Sequence, residues 1–242
     1  MPIIAFASPK GGAGKTTTCL QLAGELLHSG VDVTIVDADP NQPFKAWQEQ
    51  SIANNILPKG LTILEGLDEA KLTDVIDAAA EKATFVLVDL EGSANMGVAN
   101  AIGRADLVLI PIQGSRLDAN QAQRSVGLVQ QSERIFKRKI PHAILITKTS
   151  AAIRGTTLKT IIEDIRSAQV PVFKTELLDR EIFKTLFDIG GTLYSVDNLE
   201  DPISGKSALS NARSNTNALT REVLALLQDP ESMASAAKED AA

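Results

Sequence analysis

A row of small residues, Pro9-Lys10-Gly11-Gly12-Ala13-Gly14-Lys15-Thr16-Thr17, separates the apolar run at 3–7 from a helical stretch that begins at Thr16. Two glycines and a proline stop the strand, and the loop that follows delivers backbone N–H groups to a helix N-terminus, where phosphate oxygens are stabilised by unpaired donors and the helix dipole. In that setting Lys15 neutralises charge on β- and γ-phosphates and the Thr16 hydroxyl ligates Mg²⁺. Thr17, with the backbone of Gly11, Gly12, Ala13 and Gly14, holds the remaining phosphate oxygens.

Three carboxylates end apolar strands. Val33-Thr34-Ile35-Val36 runs into Asp37-Ala38-Asp39-Pro40-Asn41, and Phe85-Val86-Leu87-Val88 into Asp89-Leu90-Glu91-Gly92. In a parallel sheet such positions lie at the carboxyl edge, where open α/β folds bind ligands. Asp89 suits a Mg²⁺ contact through water, and Asp37 and Asp39 equally suit a turn that caps the next helix.

The elements needed to hold these groups are visible in the apolar pattern. Strands are expected over 31–36, 85–88, 107–110 and 143–147, with Ile63-Leu64 as an extra candidate. From Thr16, residues Cys19, Leu22, Ala23, Leu26 and Leu27 recur on one helical face that Gly30 closes. Further helices are expected over 67–80, 117–136 and 211–227, the last with Leu219, Val223, Leu226 and Leu227 on one side. Continuous apolar strands alternating with helices predict an α/β fold, a single domain with a mostly parallel twisted sheet covered by helices on both faces. Trp47 is expected to pack the helix after Asp39 onto the body.

Composition narrows the chemistry. With 242 residues, 44% hydrophobic and 22% charged, the chain can bury one large core. Its single cysteine, Cys19, excludes an intramolecular disulfide and an all-cysteine metal cluster within one chain. His28 and His142 have no metal-spaced neighbour. No run approaches the roughly 18 apolar residues of a membrane span, and the N-terminus lacks a signal-peptide pattern, so a cytoplasmic location is expected. A net charge of −6 requires any nucleic-acid contact to use a local basic patch.

The glycine loop departs from the common G-x-x-x-x-G-K-[ST] form, because Pro9 stands at its first glycine and Lys10 precedes the glycine pair. In this it resembles the deviant Walker A motif, K-G-G-x-G-K-[ST], of the ParA/MinD family of P-loop ATPases. Asp37-Ala38-Asp39-Pro40-Asn41 resembles the D-x-D-P-Q segment of that family, with Asn41 for Gln. Asp89-Leu90-Glu91-Gly92-Ser93 departs from the D-x-P-P pattern of its chromosomal members and is similar to small plasmid ParF-type proteins and to ATPases that recruit transfer DNA on virulence plasmids. Ile110-Pro111-Ile112 with Leu117-Asp118 is a weaker match to a segment near the family's dimer interface.

The resemblance implies an ATPase using ATP and Mg²⁺, with an ATPase domain over 1–228 and a disordered acidic tail over 229–242. It implies a homodimer that sandwiches ATP and in which Lys10 reaches the phosphates bound by the other copy. Asp39 would orient the attacking water and Asp37 hold the Mg²⁺ hydration shell. It further implies non-specific DNA binding, through Lys206, Arg213 and Arg221, and an activating partner protein. A salt-bridged polar face using Glu222 is the alternative for those cations. Thr147-Lys148-Thr149-Ser150 lies where related GTPases carry [NT]-K-x-D. Ser150 removes the guanine-selective carboxylate, which favours adenine, with the Lys148 stem packing on the base or simply exposed. A metabolic ligase of the same fold and a MinD-like membrane-cycling ATPase remain alternatives. The latter needs a basic amphipathic C-terminus, and this one is acidic.

Overall fold

Alternate residues of the first strand enter different layers. A computed structural model describes residues 1–93, 95–114, 116–149, 156–167, 170–199 and 203–230. In β1 (Ile3–Phe6), Ile3 and Ala5 enter one hydrophobic core while Ile4 and Phe6 enter the other. That is the two-residue period of a strand buried on both faces. Around β1 the described residues form a seven-stranded sheet in the order β3-β2-β4-β1-β5-β6-β7, every pairing parallel. The other strands are β2 (Val33–Ala38), β3 (Leu61–Glu65), β4 (Phe85–Leu90), β5 (Leu107–Ile112), β6 (His142–Thr149) and β7 (Leu177–Leu178).

One face is covered by α3 (Leu72–Ala80), α4 (Met96–Arg104), α5 (Arg116–Phe136) and α6 (Thr156–Ser167). The other carries α1 (Lys15–His28), α2 (Pro43–Ala53), α7 (Glu181–Ile189) and α8 (Lys206–Gln228). The expected α/β architecture is what forms, and none of the described helices is long and apolar enough to cross a membrane.

The boundaries differ from expectation for local reasons. The third helix starts at Leu72, not 67, because Asp68 closes a turn first: its Oδ1 accepts from Ala70 N at 3.0 Å and its carbonyl from Lys71 N at 2.9 Å. Ile63-Leu64 belongs to a true edge strand, half-exposed and therefore weakly patterned. Strand β5 continues through Pro111 at no cost to the ladder. The Leu109 carbonyl accepts from Ala7 N, so the Pro111 nitrogen faces the same side, past the end of β1.

Two buried polar junctions fix the helices of the second face. Trp47, fully buried as expected, donates from Nε1 to the Gly191 carbonyl at 3.0 Å, and Gly191 N donates to Ser51 Oγ at 2.8 Å. Gly190 lies at φ 82° with no room for a Cβ, which would meet Ser51 N at 2.3 Å. Glu25, 3% exposed near the end of α1, accepts from Tyr194 Oη and Thr216 Oγ1 at 2.7 Å each and from Asn217 Nδ2 at 3.0 Å. His28 stacks on Tyr194 with ring centroids 3.6 Å apart, a structural contact like that of His142 with the Ile140 carbonyl. Residues 231–242, most of the expected tail, lie outside the described residues, as do Ser150 and the side chains of Leu117 and Asp118.

Candidate functional site

Strand β4 lies between β1 and β2, so the loops leaving all three converge. Phe6 is in register with Asp89, and Asp89 with Asp37. The glycine loop leaves β1 at the same edge and enters α1 through Gly14, at φ 101°, with Gly12 at φ 74°. No side chain caps the first turn of α1 and no acidic residue sits in it, so its N–H groups remain open to an anion. The loop is braced from the neighbouring strands: the Thr147 hydroxyl lies 2.7 Å from the Ala13 carbonyl and 3.0 Å from that of Ile112, and Gln113 Nε2 donates to the Gly12 carbonyl at 2.8 Å. A Cβ on Gly14 would press to 3.3 Å from Thr147 Oγ1.

The resulting cleft of about 450 Å³ is lined by Gly11, Gly12, Gly14, Lys15, Thr16 and Thr17, by Asp39, Pro40 and Asn41 after β2, and by Glu91, Gly92 and Ser93 after β4. The expected loop residues and Asp39 are thus brought together. Ala13 lies just beneath, 1% exposed, and Lys10 is half-buried at the start of the loop. Asp39 Oδ1 accepts from Asn41 N at 2.9 Å and from Asn41 Nδ2 at 2.8 Å, which fixes its carboxylate at the cleft.

Asp37 and Asp89 are buried side by side. Asp37 spends its oxygens on the chain's own backbone: Oδ1 accepts from Asp39 N at 3.2 Å, and Oδ2 caps α2 by accepting from Phe44 N at 3.0 Å. Both oxygens of Asp89 are buried without a well-aligned hydrogen-bond donor. Burial pushes the Asp89 carboxyl up to about 7, against the nearby Thr16 hydroxyl and Lys15 ammonium, which pull it down. Burial likewise raises Asp37 to about 6, moderated by its backbone donors.

An orphaned buried carboxylate beside the Thr16 hydroxyl at the foot of a phosphate cleft fits Mg²⁺, which keeps most of its waters and takes few protein ligands. Of the expected metal residues, Thr16 and Asp89 are free to hold it directly or through water, while Asp37 stands behind them as the helix cap.

A second cavity of about 420 Å³ adjoins the first through Gly14, Thr17 and Lys148, and its far wall is Leu177, Leu178, Asp179, Arg180, Phe183 and Phe187 with neighbouring residues. Lys148, at φ 56°, lines both cavities, its Nζ 4.0 Å from where a Gly12 Cβ would stand. Sequence reading identified neither this wall nor the braces Thr147 and Gln113. A threonine three residues before the expected GTPase-like acceptor position was the one available signal, because β7 has only two residues and no periodicity.

Gly92 offers a direct check on where phosphate sits. A Cβ there would stand 3.5 Å from Gly11 N and 3.7 Å from Lys15 Nζ, inside the space an oxyanion would use. Gly92→Ala is therefore expected to weaken ATP binding about tenfold, roughly the loss of one good polar contact, while leaving the melting temperature unchanged. Nucleotide titration beside a thermal melt measures both, and an unchanged affinity would remove the phosphate from this position.

The three cations expected to meet DNA have different roles on α8. Arg213 is committed internally: its guanidinium donates to the Leu193 carbonyl from Nε at 2.9 Å, pairs with Asp197 at 2.7 Å and covers the Tyr194 ring at 4.9 Å. Lys206 and Arg221 are exposed. Glu222, expected in a salt-bridged face, instead accepts the backbone N–H groups of Lys174 at 2.6 Å and Thr175 at 3.0 Å.

The sequence model of the VirC1 protein family matches residues 1–228. The chain belongs to the VirC1 family. A relative named Protein ParA, from Rhizobium radiobacter, is 34% identical over 228 residues, covering 94% of this chain and 100% of that one. Protein virC1 of Rhizobium rhizogenes is 28% identical over 192 residues, 78% of this chain and 82% of its own. An Asp-to-Ala variant of Cyanothece McdA in complex with ATP superposes with a TM-score of 0.71 at 17% identity, covering 92% of this chain and 96% of that one, a likeness of fold. This VirC1-family chain accordingly stands in the ParA-like branch of the ParA/MinD family, a family of P-loop ATPases.

Proposed function

We propose that the chain is a partition or positioning ATPase that closes into a homodimer on ATP, binds DNA without sequence preference, and hydrolyses ATP slowly under the control of an activating partner protein. The observation that carries this reading is one cleft holding the Gly11-Gly12 turn that Lys10 precedes, Lys15, Thr16 and the tethered Asp39. Lys15 and the open first turn of α1 bind the β- and γ-phosphates, and the adjoining cavity beside Lys148 takes the adenine. Thr16 and Asp89, with Asp37 behind, hold Mg²⁺, which when bound offsets charge on the phosphate oxygens. Asp39 aligns a water for in-line attack on the γ-phosphorus. The Lys10 ammonium of the second copy stabilises the charge that develops there, as an arginine finger does. Lys206 and Arg221 contact the DNA backbone, with Arg213 acting as a brace for the helix that carries them. The site of action is cytoplasmic DNA.

Lys10→Ala tests the sandwich. Sedimentation is expected to show wild-type dimers with ATP and Mg²⁺ but monomers with ADP, and the variant monomeric with either nucleotide. The variant's partner-stimulated turnover should fall at least tenfold, and the salt-sensitive DNA binding seen with ATP should disappear. A variant that dimerises and turns over like the wild type overturns the sandwich. Turnover answering only to a small organic acid would mark a ligase.

A further inference from the structure

We infer that Glu91 is a second catalytic carboxylate, accepting a hydrogen bond from the water that attacks the γ-phosphate; this rests on the proposed ATPase reading. Glu91 directly follows β4, two residues after Asp89, so the strand's alternation carries both toward the face of the sheet that packs α1 and the glycine loop. It lines the same cleft as Asp39, and a Cβ on the next residue, Gly92, would stand 3.5 Å from Gly11 N and 3.7 Å from Lys15 Nζ. The carboxylates that follow the adjacent strands β2 and β4 therefore line one cleft with Lys15 and the glycine loop.

The carboxylate is held in place. Ser93 Oγ and Asn95 Nδ2 both donate to Oε1, and the amide nitrogen of Asn95 is shared with Glu69 Oε1 at 2.6 Å. Asn95 is itself anchored, its Oδ1 accepting from Val98 N at 2.8 Å as the cap of α4. Both donors reach the same oxygen, so the assignment to the attacking water falls on Oε2. A rigid acceptor of this kind costs nothing to organise when the reaction occurs. In the step, the water oxygen bonds to the γ-phosphorus as the bond to the β-phosphate oxygen breaks, ADP leaves, and the water's proton passes to the phosphate formed. Asp39 and Glu91 both accept from that water.

The test compares wild type with Glu91→Gln in two readouts, binding of a fluorescent ATP analogue and single-turnover phosphate release with ATP and Mg²⁺. The variant is expected to bind within threefold of wild type and to release phosphate at least tenfold more slowly, a split that a merely structural role in the Ser93–Asn95 network would not give. Glu91→Asp, which keeps the charge but withdraws it by one methylene, is expected to be slowed as well, and decides the matter if the glutamine variant misfolds. Wild-type phosphate release by either variant, or a loss of binding equal to the loss of rate, overturns the assignment. A wild-type protein that binds no ATP overturns instead the reading beneath it.

Discussion

Lys15→Ala is expected to reduce ATP affinity by a hundredfold or more, the largest effect of any single substitution in the cleft. Lys15 is 6% exposed and opens α1 directly after the glycine loop. With so little water to replace it, removing one charged partner from an enclosed ionic contact costs about 3–5 kcal/mol, which corresponds to about two to three and a half decades in Kd. The same ammonium helps keep Asp89 ionised, so its loss lets that carboxyl rise further. Calorimetric titration of ATP into the folded variant measures the effect. Affinity within tenfold of wild type would mean that phosphate is gripped elsewhere.

Asp89→Asn should stabilise the nucleotide-free protein above neutral pH while abolishing the extra stability conferred by Mg²⁺ with ATP. The folded-state carboxyl titrates near 7 against an unfolded value of 3.8, so the folded protein binds the proton more tightly. Asp89 therefore favours folding only in its protonated form: that contribution is complete below pH 4 and is lost as pH rises from there through about 7. Three pH units correspond to about 4 kcal/mol, and the asparagine returns part of it by burying two N–H donors. A net gain on the order of 2 kcal/mol at pH 8, or roughly 5 °C in Tm, is expected, falling as pH drops and reversing to a deficit on the order of 2 kcal/mol at pH 4, where only the cost of the buried N–H donors remains. Melting curves across that range give the answer, and parallel curves for the two proteins would show that Asp89 is not the group that titrates.

The phosphate-binding half of the site was legible because its signals are local. A strand, a glycine turn and an amphipathic helix are contiguous, and each acidic residue directly follows its strand. The second cavity, proposed for adenine, was not, because it joins residues 147–148 to residues 177–188 across thirty positions and a two-residue strand. Helical spacing put Arg213 and Arg221 on a common face, but spacing cannot reveal that Leu193 and Asp197, in a segment without periodicity, capture the first of them. Glu91 was read only as part of a motif. Its significance depends on Ser93 and Asn95 folding back upon it, a three-dimensional fact that no periodicity encodes.

Glu25 makes α1 a rod fastened at both ends. Over its length of about 20 Å one extremity is the cradle for phosphate, and the other is riveted through a buried carboxylate to Tyr194 and to Thr216 and Asn217 of α8. The last helix is thus a mechanical counterweight to the first turn. Whatever tugs on one is felt by the other, and a chain cut short inside α8 would lose its hold on nucleotide although every residue that touches it remained.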